Sequence, residues 1–308
     1  MNQSLNSVSH AQEIIRSDPS WERAFKVAEA RLQIPQNISQ LLRASWRDSL
    51  SLDEFTRLAG FCQLNFDALI EFAGDAYADY TDRVTKLRTI ISDYGTRHAA
   101  VVLGINYTCR TILASNPPPI WRSLMKELID TVHIGQIFGS KVEDVGVESG
   151  MLMGFARSAG LSILMSFDPS TFRKWYSLSQ GYEGRKLVLE TFGCEPYQVA
   201  GAALQLLGYG PEMAIGAGLA MGNLNIKKIE LGEAQEIWHA CYLWIDSLRE
   251  GRSYPGPMES RNFFPEVVPP RTKGKRNPTL EVMYTEISRV KRSGSPWKWH
   301  LTGIKEPK

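Results

Sequence analysis

The sequence has few cysteines and histidines, no alternating strand pattern and almost no net charge, and each shortage closes a class of function. The four cysteines, Cys62, Cys109, Cys194 and Cys241, stand far apart in a chain of 308 residues and form no CxxC pair. That spacing excludes zinc-ribbon and thioredoxin-type sites and predicts reduced, mostly core thiols of a cytoplasmic protein. The five histidines, His10, His98, His133, His239 and His300, make no HExxH arrangement. A metal site needs several convergent ligands, so a lone helical residue such as His133 reads as a hydrogen-bonded core or rim histidine. There is no GxSxG elbow and no GxxxxGK[ST] phosphate loop, and the glycines of "GYGPEMAIG" follow no strand. The first twenty residues lack the basic and apolar regions of a signal peptide. One long apolar run, 199–222, has the length of a membrane span, but Gly208, Gly210 and Pro211 interrupt it and Gln205 and Glu212 fall inside it. Two short buried helices, the second starting at Pro211, fit it better than a span.

What the chain does have is helical periodicity. Trp21, Phe25, Ala28 and Leu32 form one apolar stripe, with Glu22, Arg23, Lys26 and Glu29 between them. Ser51 and Glu54 make a capping box. Further helices are predicted over 36–47, 66–74, 84–94, 96–114, 119–139, 143–166, 183–192, 196–207, 211–221 and 233–249. The run "NPPPI" at 116–120 is a stiff connector that divides residues 21–250 into helical halves, about 21–115 and 119–250. Residues 1–20 read as a lead. Net charge is +2, yet residues 251–308 hold 12 Lys and Arg against 5 Asp and Glu, so a mildly acidic body carries a basic, proline-rich tail. This tail reads as extended and largely unpacked, with one short amphipathic helix near 280–291, where Leu280, Met283, Tyr284, Ile287 and Val290 recur. Lys273, Lys275, Arg276, Lys291, Arg292 and Lys298, with Trp297 and Trp299, are the residues through which it would contact nucleic acid, by phosphate pairing and stacking. The competing reading is a solvated tail, or one folded onto the acidic body.

The segment "LMGFARSAGLSIL", 152–164, sets a single charge, Arg157, within an apolar helix and follows it with Ser158. An arginine there must be paired or reach water, because an unpaired buried ion costs several kcal/mol. This helix resembles the central helix of the HDOD family, HD-related output domains of bacterial signalling proteins. In that family it reads like GLLHDIG followed by a leucine-rich turn. Gly154 and Gly160 fall in place, and the His-Asp pair would fall on Arg157 and Ser158. The segments "IPQNISQLLRA", "SLDEFTRLAGFCQLNFDALIEFAGDAYADYTDRVTKLRTIISDYGTRHAAVVLG", "IWRSLMKEL" and "FGCEPYQVAGAALQLLGYGPEMAIGAG" resemble other family elements in the same order, over about residues 34 to 249. Ser123 stands where a family histidine would.

The resemblance implies an all-α, multi-helical HD-like bundle and a non-catalytic regulatory protein that binds protein partners in the cytoplasm. HD phosphohydrolases need His and carboxylate ligands around a metal that activates water. Ser123, Arg157 and Ser158 would mark a vacated metal pocket, since serine is a poor ligand and a permanent cation repels a divalent ion. No catalytic residue, metal or cofactor is therefore expected, and no membrane. Arg157 is expected to pair with Glu127 or Asp130, or, as a variant, to hold a small anionic group together with Ser123 and Ser158. The competing functions are a divergent HD-type metal phosphohydrolase acting on a nucleotide, and nucleic-acid binding through the tail.

Overall fold

Helix α1, Pro19–Leu32, starts where the side chain of Asp18 accepts a hydrogen bond from the backbone of Ser20, and it buries the stripe of Trp21, Ala24, Val27, Ala28 and Leu32. The chain is described here by a computed structural model over residues 13–47, 50–178, 181–219, 231–252, 254–256, 258–268, 277–305 and 307. Helices α2 (Gln36–Trp46), α3 (Leu52–Phe61), α4 (Asp67–Ala73), α5 (Arg83–Tyr94) and α6 (Thr96–Leu113) follow. The capping box of Ser51 and Glu54 forms at the start of α3. Beyond the proline run come α7 (Trp121–Gly139), α8 (Gly146–Phe167), α9 (Pro169–Tyr176), α10 (Gly181–Phe192), α11 (Pro196–Leu206), α12 (Pro211–Leu219) and α13 (Glu233–Glu250). Among the described residues there is no strand, and the fold is all-α.

The apolar run expected to break at Gly210-Pro211 does so, into α11 and α12, with Gly208 and Gly210 at positive φ. Of the described helices, α8 alone is long and apolar enough to cross a membrane, and most of it is buried inside the protein. It is packed chiefly against α7 and α11. Gly135 of α7 and Gly150 of α8 lie so close that a Cβ on either would strike the backbone of the other, and one on Gly154 would strike that of Thr131. Close backbone approach is what small residues permit. One hydrophobic core runs across the proline connector: α1 packs on α8 and α11, and α6 packs on α8.

The tail departs from its reading as extended and unpacked. Helices α14 (Met258–Asn262) and α15 (Pro278–Ser293), with 3-10 turns at Pro265–Val267 and Trp299–Leu301, are packed onto the body. Phe264, Val267, Met283, Ile287 and Trp299 are buried. Two of the prolines that suggested an extended chain, Pro265 and Pro278, sit at first helical positions, where a missing N–H costs nothing. The predicted amphipathic helix is present and docks on α7 and α13.

Candidate functional site

Arg157 lies midway along α8, a helix buried along most of its length. Its guanidinium is paired, but not with the carboxylates expected. Its Nε donates to Oδ1 of Asp246, on α13, and both side chains are nearly sealed from solvent, at 9% and 4% exposure. The correction has a simple geometric cause: the helix that faces Arg157 with a carboxylate is α13, not α7. Glu127 instead pairs with Arg249 at 2.5 Å. Asp130 pairs with Lys126 at 2.6 Å and accepts the backbone N–H of Ser295 at 2.6 Å.

A layer of rings and cations surrounds the pair. Arg157 lies 6.0 Å from the ring centroid of Tyr197, and Arg185 lies 5.9 Å from the same ring. Arg185 in turn is bound to Glu195 through Nε at 3.1 Å and Nη2 at 2.6 Å. Tyr197 meets Tyr242 edge to face at 6.0 Å. Burial pushes both phenols up, that of Tyr242 well above its ordinary range, so both remain neutral hydrogen-bond donors at physiological pH. The hydroxyl of Tyr242 has no hydrogen-bond partner among the described residues. Arg252 reaches the other Asp246 oxygen at 3.5 Å.

The three positions expected to share a vacated pocket do not converge on one point. Ser158 faces α7 and shares a hydrogen bond with Thr131 at 3.2 Å. Ser123 is exposed and lines a groove of about 470 Å³ between α7, α13 and α15, together with Lys126, Glu127, Asp130, Arg249 and Lys291. A small anion at Arg157 would have to displace Asp246. Among the described residues no group of three or more His, Cys, Asp or Glu side chains is arranged to hold a metal ion. His133 is the hydrogen-bonded rim residue expected: its Nδ1 meets Ser295 Oγ at 3.1 Å and its ring stacks on Trp297 at 4.1 Å. His98 is bound to Glu148 at 3.0 Å.

Trp299 is fully buried and Trp297 has one face on His133, so Trp299 offers no ring for stacking. Lys291, Arg292 and Lys298 are exposed. Lys273, Lys275 and Arg276 lie outside the described residues. Two residues that anchor this arrangement escaped the sequence reading. Asp246 carried the same signal as Arg157, a lone charge within the apolar run "YLWIDSL". Asn106, buried in α6, donates to the carbonyls of Trp299, His300 and Thr302 at 2.8, 3.3 and 3.3 Å, and so ties down the tail. Comparison with protein-family models, with curated proteins and with solved structures finds no match for this chain.

Proposed function

We propose that this chain is a non-catalytic, cytoplasmic regulatory protein that acts by binding a protein partner through a degenerate HD-like helical domain. One observation carries the reading. At the position where the resemblance sets a metal-binding His-Asp pair, Arg157 is locked to Asp246 inside a helix–helix contact. A buried, mutually neutralising pair can serve as architecture, whereas a hydrolytic site needs ligands open to metal and water. The groove beside it, lined by side chains of both signs, supplies a polar surface of the kind that fixes a partner's register more than its affinity.

Elemental analysis of the purified full chain, paired with hydrolysis of bis(p-nitrophenyl) phosphate in added Mn²⁺, tests the catalytic half. The expected result is metal far below one per chain and no hydrolysis above the rate of Mn²⁺ alone. About one metal per chain with hydrolysis abolished by a chelator would overturn the reading in favour of a phosphohydrolase. The binding half is tested by comparing partners retained by the wild type and by Lys126→Glu/Lys291→Glu. An unchanged set removes the groove from the proposal.

A further inference from the structure

Near the far end of α8, Ser166 lies nine residues beyond Arg157, about 13 Å along the helix axis. There Arg31 of α1 donates through Nε to Ser166 Oγ at 2.8 Å, and through Nη2 to the carbonyls of Thr111 and, at 3.2 Å, Ile112. Arg31 thus caps the last turn of α6 and offsets the negative end of its dipole. It also forms part of the wall of a cleft of about 980 Å³, a volume at the upper end of small-molecule sites.

Backbone conformation singles this cleft out. Among the described residues, three other than glycine have positive φ: Gln33 at 45°, Gln63 at 55° and Asn116 at 54°. All three line the same cleft. Each follows a helix end, that of α1, α3 or α6, at the kind of position where glycine usually relieves the left-handed backbone. Three separate helix ends therefore place an amide side chain where glycine would be relaxed, and all three amides border one space. Strain of this kind collects at ligand sites because the side chain is wanted there for something other than stability.

Among the described lining residues, the charge is of one sign. Arg31, Arg110 and Lys305 line the cleft, and no described lining residue is acidic. Arg31 is occupied by the α6 carbonyls. Arg110, half-buried on α6, has no carboxylate or hydrogen-bond acceptor for its guanidinium among the described residues. Lys305 is exposed at the rim. The wall that carries Lys305 is fixed by Asn65, which donates to Thr302 at 2.9 Å, and by Asn106.

We infer that this cleft binds a small phosphate-bearing molecule. Arg110 contacts the phosphate, Lys305 closes on it from the rim, and the amides of Gln33, Gln63 and Asn116 hold the polar remainder of the molecule. None of the groups around Arg157 takes part, so this site and the proposed function stand or fall separately.

Titration calorimetry of the full chain with pyrophosphate, AMP and adenosine tests it. Saturable binding of pyrophosphate or AMP, with adenosine much weaker, is expected. Arg110→Gln should weaken that binding about tenfold or more, the loss of one charge-assisted hydrogen bond. The glycine variants Gln63→Gly and Asn116→Gly separate a ligand role from a structural one. Each should raise the Tm of the free protein and weaken AMP. No saturable binding at millimolar concentration would overturn the site, as would AMP and adenosine binding alike. Glycine variants that gain Tm and bind AMP as the wild type does would equally sink it. They also keep the test decisive if Arg110→Gln fails to fold.

Discussion

Arg157 and Asp246 take two full charges out of water, and the attraction between them holds only while both are present. Removing Asp246 leaves Arg157 buried and unpaired, which costs about 3–5 kcal/mol, and removing Arg157 leaves Asp246 only the longer contact with Arg252 at 3.5 Å, whereas replacing both by apolar groups of similar volume is often neutral. Urea denaturation of Arg157→Met, Asp246→Leu and the double variant should therefore show two strongly destabilised singles. The double variant should be closer to the wild type than either. Additive losses would mean that the two side chains do not form the pair described. That Arg157 was unusual could be read from the sequence, since a lone cation in "LMGFARSAGLSIL" demands a partner. The partner could not, because Asp246 is 89 residues away and local spacing carries no information about which helix comes to face α8. The preceding helix, α7, offered two carboxylates. Both are engaged elsewhere, with Arg249 and with Lys126 and Ser295.

Helices α7 and α8 show the same lesson at the level of elements. The sequence predicts both with approximate ends, α7 from its apolar periodicity and α8 from its nearly continuous apolar run, as it does the other body helices except α9, Pro169–Tyr176, for which no helix is predicted. Their closeness follows from glycines at spacings of four, "GQIFG" at 135–139 and "GMLMG" at 150–154, a pattern that marks small-residue helix contacts. In a helix interior Gly→Ala ordinarily stabilises by about 1 kcal/mol. Here Gly150→Ala should reverse sign, because its Cβ would meet the backbone of Gly135 rather than a movable side chain. A loss of about 1–3 kcal/mol is expected, the usual result of overpacking a close-packed core. A Gly150→Ala protein with unchanged or raised Tm would refute the contact. The tail was harder to read. Its helix was visible as the recurrence of Leu280, Met283, Ile287 and Val290, but composition gave Phe264, Val267 and Trp299 no destination. Proline content describes what a segment cannot continue, and says nothing of the pocket that receives it.

Over the whole molecule as described, Arg252 at the start of the tail pairs with Asp246 and Glu250, but from α15 onward the docking is chiefly apolar and hydrogen-bonded, despite the opposite net charges of tail and body. Between α15 and the rest of the described chain the ion pair is Lys141–Glu286 at 3.9 Å, in which the tail supplies the acid. What makes this docking sensitive to conditions is protonation. Burial holds His133 at about 4, only partly opposed by Asp130, and His133 stacks on Trp297 and bonds to Ser295. Burial, helped by Lys298 and opposed by Asp130, holds His300 at about 4 as well. Both rings are neutral in the folded state and bind a proton more readily when unfolded. The stability they permit is complete above the ordinary histidine value of about 6.5 and is lost as pH falls from there toward 4. The slope is at most about 1.4 kcal/mol per pH unit for each proton, and less for His133, which keeps some contact with solvent. Glu148 acts lower on the scale. Burial tends to raise it, but the hydrogen bond from His98 and the nearby charge of Arg97 leave it below its usual value. Its contribution therefore persists above the unfolded carboxyl value and fades only as pH falls further. Thermal melts should show a constant Tm from pH 8 to about 6.5 and a decline below it, with a change in Trp297 emission as its His133 partner protonates. The His133→Gln/His300→Gln protein should lose most of that decline and keep the smaller part due to His239, which burial also holds below its ordinary value, before carboxylates titrate. A wild-type Tm that stays level between pH 6.5 and 5 would show that the two rings are open to water, and that the tail is not seated as described.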